Sequence, residues 1–218
     1  MNRHPLSPTI VIAFALIIAF LVTNVVASGF ERLGIPRAFV GAFLVSCLAG
    51  SLFNIPVWSR TITIEAGSFG FSGPFLFYRP PIVESQIVAV NLGGAIIPTM
   101  LSGWLLFHTP LIATLLATTF VAGFTHRIAR IRPGEGVVMP ALIPPIVAAL
   151  LAWGLTWNGQ PGDAPAVAYI SGSLGTLIGA DLLNLRKLST FGQGILSIGG
   201  AGIFDGVFLV GVVAAVLA

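Results

Sequence analysis

The chain has 218 residues, 56% of them hydrophobic and only 8% charged, with a mean hydropathy of +1.01. A water-soluble domain carries about 25% charged residues, so this composition excludes an ordinary soluble globule and points to an integral membrane protein. The net charge of +3 reads as a topology signal; no basic stripe interleaved with aromatics points to nucleic acid.

Backbone groups in lipid must be satisfied internally, which leaves helices or a closed barrel. Long apolar runs without period-two alternation favour helices. The expectation is an all-α polytopic membrane protein, one membrane domain over residues 1–218, with about seven transmembrane helices. The first expected span is 8–28. Val25-Val26-Ala27 resembles a signal cleavage site, but the run is near full span length and reads as an uncleaved span. The second is 36–57, and it carries the single cysteine, Cys47, as a small core residue. A long loop, 58–82, follows. Arg60 to Glu65 alternates polar and apolar residues, glycines 67, 70 and 73 punctuate, and Pro74 to Tyr78 is aromatic. That pattern predicts a β-hairpin on the cytoplasmic side.

The third expected span, 83–107, contains Asn91, Gly93, Gly94 and Pro98, which loosen a helix and free backbone groups. The fourth is 110–125. The fifth, 137–157, opens irregularly with Pro140, Ala141 and Leu142 and continues to Pro144-Pro145. The sixth is 164–185 and the seventh 195–218. Small residues at close-packing spacing, Gly175 with Gly179 and Gly202 with Gly206, let backbones approach. No clear internal repeat stands out.

On this plan eight basic residues share the side of the N-terminus: Arg3, Arg60, Arg79, Arg127, Arg130, Arg132, Arg186 and Lys187. Only Arg32 and Arg37 fall on the other. The bias predicts a multi-pass protein of the cytoplasmic (inner) membrane, N-terminus inside and C-terminus outside.

Two aspartates stand inside apolar spans, Asp181 in the sixth and Asp205 in the seventh. A carboxylate there is costly and marks a functional site by default. Asp181 is about one turn from the inner end of its span, and Asp205 roughly 15 Å into its own. Two acids in one poorly hydrated pocket share a proton, which is the basis of aspartyl-protease chemistry. Asn91, Gly93, Gly94, Pro140, Ala141, Leu142, Gly202 and Gly206 are the candidate substrate-binding residues around them. Simpler readings exist: Asp181 as an interfacial partner of Arg186 or Lys187, Asp205 bonded to Asn91, and Asn24 and Asn91 as interhelical hydrogen bonders. His4, His108 and His126 are scattered, so neither metal nor other cofactor is expected. The expected partners are the bilayer and a transmembrane peptide substrate.

The runs 90–95, 177–185 and 197–206 resemble an uncharacterised family of short prokaryotic multi-spanning membrane proteins. Spans five to seven are also similar to the Gly-x-Gly-Asp intramembrane aspartyl proteases: presenilin, signal peptide peptidase and the prepilin peptidases. That resemblance implies catalytic aspartates on an inward and an outward span, matched by Asp181 and Asp205, and a Pro-Ala-Leu run beside them, matched by Pro140-Ala141-Leu142. Here Ile203 and Phe204 stand between Gly202 and Asp205, and Ala180 precedes Asp181. The competing expectation is a transporter or channel with its site on broken helices.

Overall fold

Apolar runs of helical length do become helices, but several are interrupted by strand. The computed structural model describes residues 23–63, 68–72, 75–79, 83–132, 136–160, 162–188, 194–200 and 206–218. Helix α1 (Thr23–Arg32) meets α2 (Arg37–Gly50) at a 112° bend. Strand β1 (Asn54–Thr63) and the hairpin β2 (Ser68–Ser72) and β3 (Phe75–Arg79) follow. Strand β4 (Val83–Asn91) runs through a π-helical turn (Leu92–Ile96) into α3 (Ile97–Leu106). Then come α4 (Leu111–Ile128), the short ribbon β5 (Arg130–Arg132) with β6 (Gly136–Val138), and α5 (Ile143–Leu155). Helix α6 (Asp163–Thr176) also ends in a π-helical turn (Leu177–Leu182), followed by the single turn α7 (Leu185–Leu188). Strand β7 (Gly194–Ile198) and α8 (Gly206–Leu217) close the described chain.

The expectation of seven transmembrane helices is overturned. Two described helices are long and apolar enough to cross a membrane, Leu111–Ile128 and Asp163–Lys187, or three if the bent pair α1–α2 counts as one. The expected span 83–107 fails because its first nine residues form β4. In β4 both faces are covered, so its apolar run lacks the alternation that marks a strand; Gln86, Val88, Ala89 and Asn91 are all buried. The expected span 195–218 likewise opens as β7, and 36–57 ends as a helix at Gly50. In 137–157 the helix starts only at Ile143, because Pro140 cannot donate to a helical ladder.

The hairpin is also rearranged. Residues from Arg60 onward do not pair with the aromatic segment. Instead β1 pairs antiparallel with β4, Asn54 opposite Asn91, while β2 pairs only with β3. Strand β7 adds to β4 in parallel, giving the order β1-β4-β7. Edge position explains how β1 tolerates Pro56, which sits at a bulge.

Helix α6 is the centre of the helical part, packed on α3, α4, α5 and α8. One core joins Phe30, Leu33, Val40, Leu105, Tyr169 and Val212; a second joins Ala117, Val121, Ala148, Ala152, Val167 and Ala214. Alanine dominates the second because α4, α5, α6 and α8 approach closely. Gly175 lies against Val121, where an added methyl would sit 2.8 Å from its side chain. The pairing spacing expected of Gly175 and Gly179 is thus used against α4. A third cluster, Val88, Ala95, Leu177 and Ile198, joins the sheet to the end of α6.

Candidate functional site

Strands β4 and β7 run side by side and both end in a Gly-Gly-Ala run, 93–95 and 199–201. The turn at Gly199 lies against the π-helical turn of α6 and that at Gly93 against the end of α2, and the polar residues of the region collect between them.

Asn91 is fully buried and ends β4. Its Nδ2 donates to the Ser51 carbonyl at 2.8 Å and to Asn54 Oδ1 at 3.1 Å. Its Oδ1 accepts from the Gly94 N–H at 2.8 Å. That last bond caps the π-helical turn, supplying a partner for a backbone donor that the turn leaves open. Ser197, on β7, donates its hydroxyl to the same Asn54 Oδ1 at 2.5 Å. Asn54 therefore ties the first residue of β1 to the ends of β4, its neighbour, and of β7 beyond it.

Asp181 stands in the second π-helical turn. Its Oδ2 accepts the backbone N–H of Gly199 at 2.6 Å, a short charge-assisted geometry. Among the described residues its other oxygen has no hydrogen-bond partner. Gly199 takes φ +72°, a left-handed conformation suited to glycine, and an added methyl would meet the Ala95 side chain at 2.6 Å. The turn is held from below by Asn184, buried, whose Nδ2 donates to the carbonyls of Gly179 and Ala180 at 3.1 and 3.0 Å.

The two π-helical turns are glycine-dependent for space. Any side chain at Gly93 would run into the Cys47 carbonyl and the backbone of Gly50 and Ser51; at Gly179 it would run into Thr125 Oγ1 and the Ala122 carbonyl. Cys47 itself is buried, as expected of a small core residue.

The expected site residues fall out as follows. Asn91 and Asp181 are brought to the same sheet end, bridged by β7. Gly93 and Gly94 are buried packing and capping positions. Pro140, Ala141 and Leu142 form the exposed turn entering α5, and no hydrogen bond among the described residues joins them to Asp181 or Asn91. Gly206 is the first residue of α8. Asp205 and Gly202 lie outside the described residues. Asn24 belongs to α1.

Asn54, Ser197, Gly199 and Asn184 were not singled out by the sequence. A signal existed for two of them: Ser197-Ile198-Gly199-Gly200-Ala201 parallels Asn91-Leu92-Gly93-Gly94-Ala95. On α6, Tyr169, Ser173 and Thr176 are fully buried with side-chain oxygens that have no partner among the described residues.

No curated protein and no solved structure matches the chain. A family described as protein of unknown function (DUF1614) matches residues 48–217, which takes in β1 to α8 and the whole polar cluster. The chain belongs to that family.

Proposed function

We propose that the protein is a membrane-embedded aspartyl hydrolase of peptide bonds, with Asp181 and Asp205 as its two acids. The observation that carries this reading is the bond from Asp181 Oδ2 to the N–H of Gly199. It fastens the first acid to the segment on which the second follows six positions later, while leaving one oxygen of Asp181 without a partner among the described residues.

The chemistry needs one acid ionised and one protonated. The ionised carboxylate takes a proton from water as the water oxygen bonds to the scissile carbonyl carbon. The protonated acid gives its proton to the carbonyl oxygen, leaving a neutral gem-diol. The C–N bond then breaks as the departing nitrogen takes the proton held by the first acid, while a gem-diol hydroxyl returns its proton to the second acid and the carbonyl re-forms. A peptide must be extended for this attack. Among the described residues β7 is an edge strand, paired on one side with β4, and it leads directly to Gly199. Its outer edge suits strand addition by a peptide drawn from a membrane-embedded substrate.

The protein is placed in the cytoplasmic membrane with the Asp181 end facing the cytoplasm. Arg127, Arg130, Arg132, Arg186 and Lys187 gather at that end of α4 and α6, as cytoplasmic ends do. Substitution of Asp181 or Asp205 by Asn is expected to abolish cleavage of a transmembrane peptide by the reconstituted protein; activity retained in either single variant removes the dyad.

A second reading, a transporter, draws support from the two π-helical breaks at Leu92–Ile96 and Leu177–Leu182, since interrupted helices beside an acid are how such proteins bind ions. Proton-coupled uptake into liposomes without any peptide cleavage would favour it.

A further inference from the structure

At the end of the helical part opposite Asp181, a cavity of about 470 Å³ opens between α1, the end of α5 and the start of α6. Its volume lies in the range of small-ligand sites, about 300–1,000 Å³. Arg32, the last residue of α1, is the cation on its wall. Arg32 makes no ion pair among the described residues, whereas its neighbour Arg37 is paired with Glu31 at 2.6 Å.

The opposite wall is aromatic. Trp153 on α5 and Trp157 in the turn that follows it lie edge to face with centroids 4.6 Å apart, and both are more than half exposed. Tryptophan in such a position sits at the headgroup level of a bilayer, ring toward the acyl chains. Thr156 and Gln160 also line the cavity. Asp163 is not part of the lining, and its Oδ2 is engaged by the Gln160 backbone N–H at 2.8 Å. Helix α6 starts at the cavity after Gly162, so its positive end adds to the field of Arg32.

A cation with no ion pair among the described residues, two polar residues and two tryptophans on the lining are complementary to a ligand with an anionic head and an apolar body. We propose that this cavity seats the phosphate of an anionic glycerophospholipid, with Arg32 and Gln160 on the phosphate and Trp153 and Trp157 along the glycerol and first acyl carbons. The proposal rests on the protein residing in a membrane and is independent of any role for Asp181.

Native mass spectrometry of the full chain in detergent, titrated with phosphatidylglycerol, tests it. One lipid should bind more tightly than the rest. Arg32→Gln should weaken that event roughly tenfold, as expected for one charge-assisted contact, Arg32→Lys should retain most of it, and Arg37→Gln should leave it unchanged. Circular dichroism should show the same helicity in all three. Equal binding by wild type and Arg32→Gln overturns the proposal, as does an equal loss in Arg37→Gln. The source is read from a competition arm: inorganic phosphate should fail to displace the lipid at concentrations where phosphatidylglycerol saturates. Displacement by inorganic phosphate alone would assign the cavity to a soluble anion and overturn the lipid.

Discussion

Asp181 Oδ2 holds the backbone N–H of Gly199 at 2.6 Å, across 18 positions of sequence. A carboxylate on a helix is thereby used as an anchor for the turn that leaves a strand. The anchor and any acid–base role separate by substitution. Asp181→Asn keeps an oxygen acceptor of the same shape, so it should lose activity with little loss of stability. Asp181→Leu leaves the Gly199 donor without its partner, at a cost of about 1–3 kcal/mol. Thermal unfolding in detergent should rank wild type and Asn close together and Leu clearly below. Equal losses for Asn and Leu would mean that the charge, not the hydrogen bond, holds the turn.

The three amides and hydroxyls at the sheet end should behave as one unit. Asn91 Nδ2 and Ser197 Oγ both donate to Asn54 Oδ1, at 3.1 and 2.5 Å. Asn54→Ala removes the shared acceptor, and Ser197→Ala one of its donors. Their effects should be sub-additive, with a coupling of roughly 0.5–3 kcal/mol in a double-mutant cycle. Asn91→Ala should cost more than either, because it also strips the cap from the Gly94 N–H. Additive losses would show that the bonds form independently.

What could be seen in the sequence follows from what hydropathy measures. Helix α4, and α6 together with its π-helical turn and α7, were legible because each forms a continuous apolar stretch of 18 residues or more. The expected spans 83–107 and 195–218 are just as apolar, yet each opens as a strand, β4 or β7, and a glycine pair follows before the helix. Averaging over about 20 residues counts apolar character and is blind to the change of period at Asn91 or Gly199. Asn91 and Asp181 stood out as polar residues in apolar runs. Asn54 and Ser197 did not, because a small polar residue at the end of a run looks like an ordinary boundary; only the register that sets Asn54 opposite Asn91 shows its role. The near-repeat of Gly-Gly-Ala at 93–95 and 199–201 was the one trace of the parallel β4–β7 pair.

Glycines in this chain divide by what surrounds them. At Gly93 and Gly179 the obstacle to a methyl group is the backbone of α2 or α4, which cannot turn aside. Gly93→Ala and Gly179→Ala should each separate a helix pair and reduce the yield of folded protein in detergent. Gly103 and Gly123, within α3 and α4, have nothing within 4 Å of an added methyl. Gly103→Ala and Gly123→Ala should be neutral or stabilising by up to about 1 kcal/mol, the helix-propensity difference. Size-exclusion yield and thermal unfolding of the four variants make the test. A Gly179→Ala protein as stable as wild type would show that the π-helical turn and α4 can move apart without loss.

Orientation can be read chemically because the chain has a single cysteine, Cys47, which is buried. In a Cys47→Ala background, one cysteine at Arg130 and one at Gln160 report on opposite ends of the α4–α5–α6 group. Arg130 lies two residues past the end of α4 and Gln160 three before the start of α6. Helix α6 with its π-helical turn and α7 spans Asp163–Lys187, 25 residues, or roughly 37 Å at 1.5 Å per residue, enough to separate the two across a hydrocarbon core of about 30 Å. The basic cluster at the Arg130 end predicts that a membrane-impermeant maleimide labels Gln160→Cys in intact spheroplasts, and Arg130→Cys only after lysis. The reverse pattern would put the Asp181 end outside the cell and break the positive-inside argument. Labelling of both before lysis would show that α6 does not cross the membrane, and the cavity at Arg32 would then have no bilayer lipid to receive.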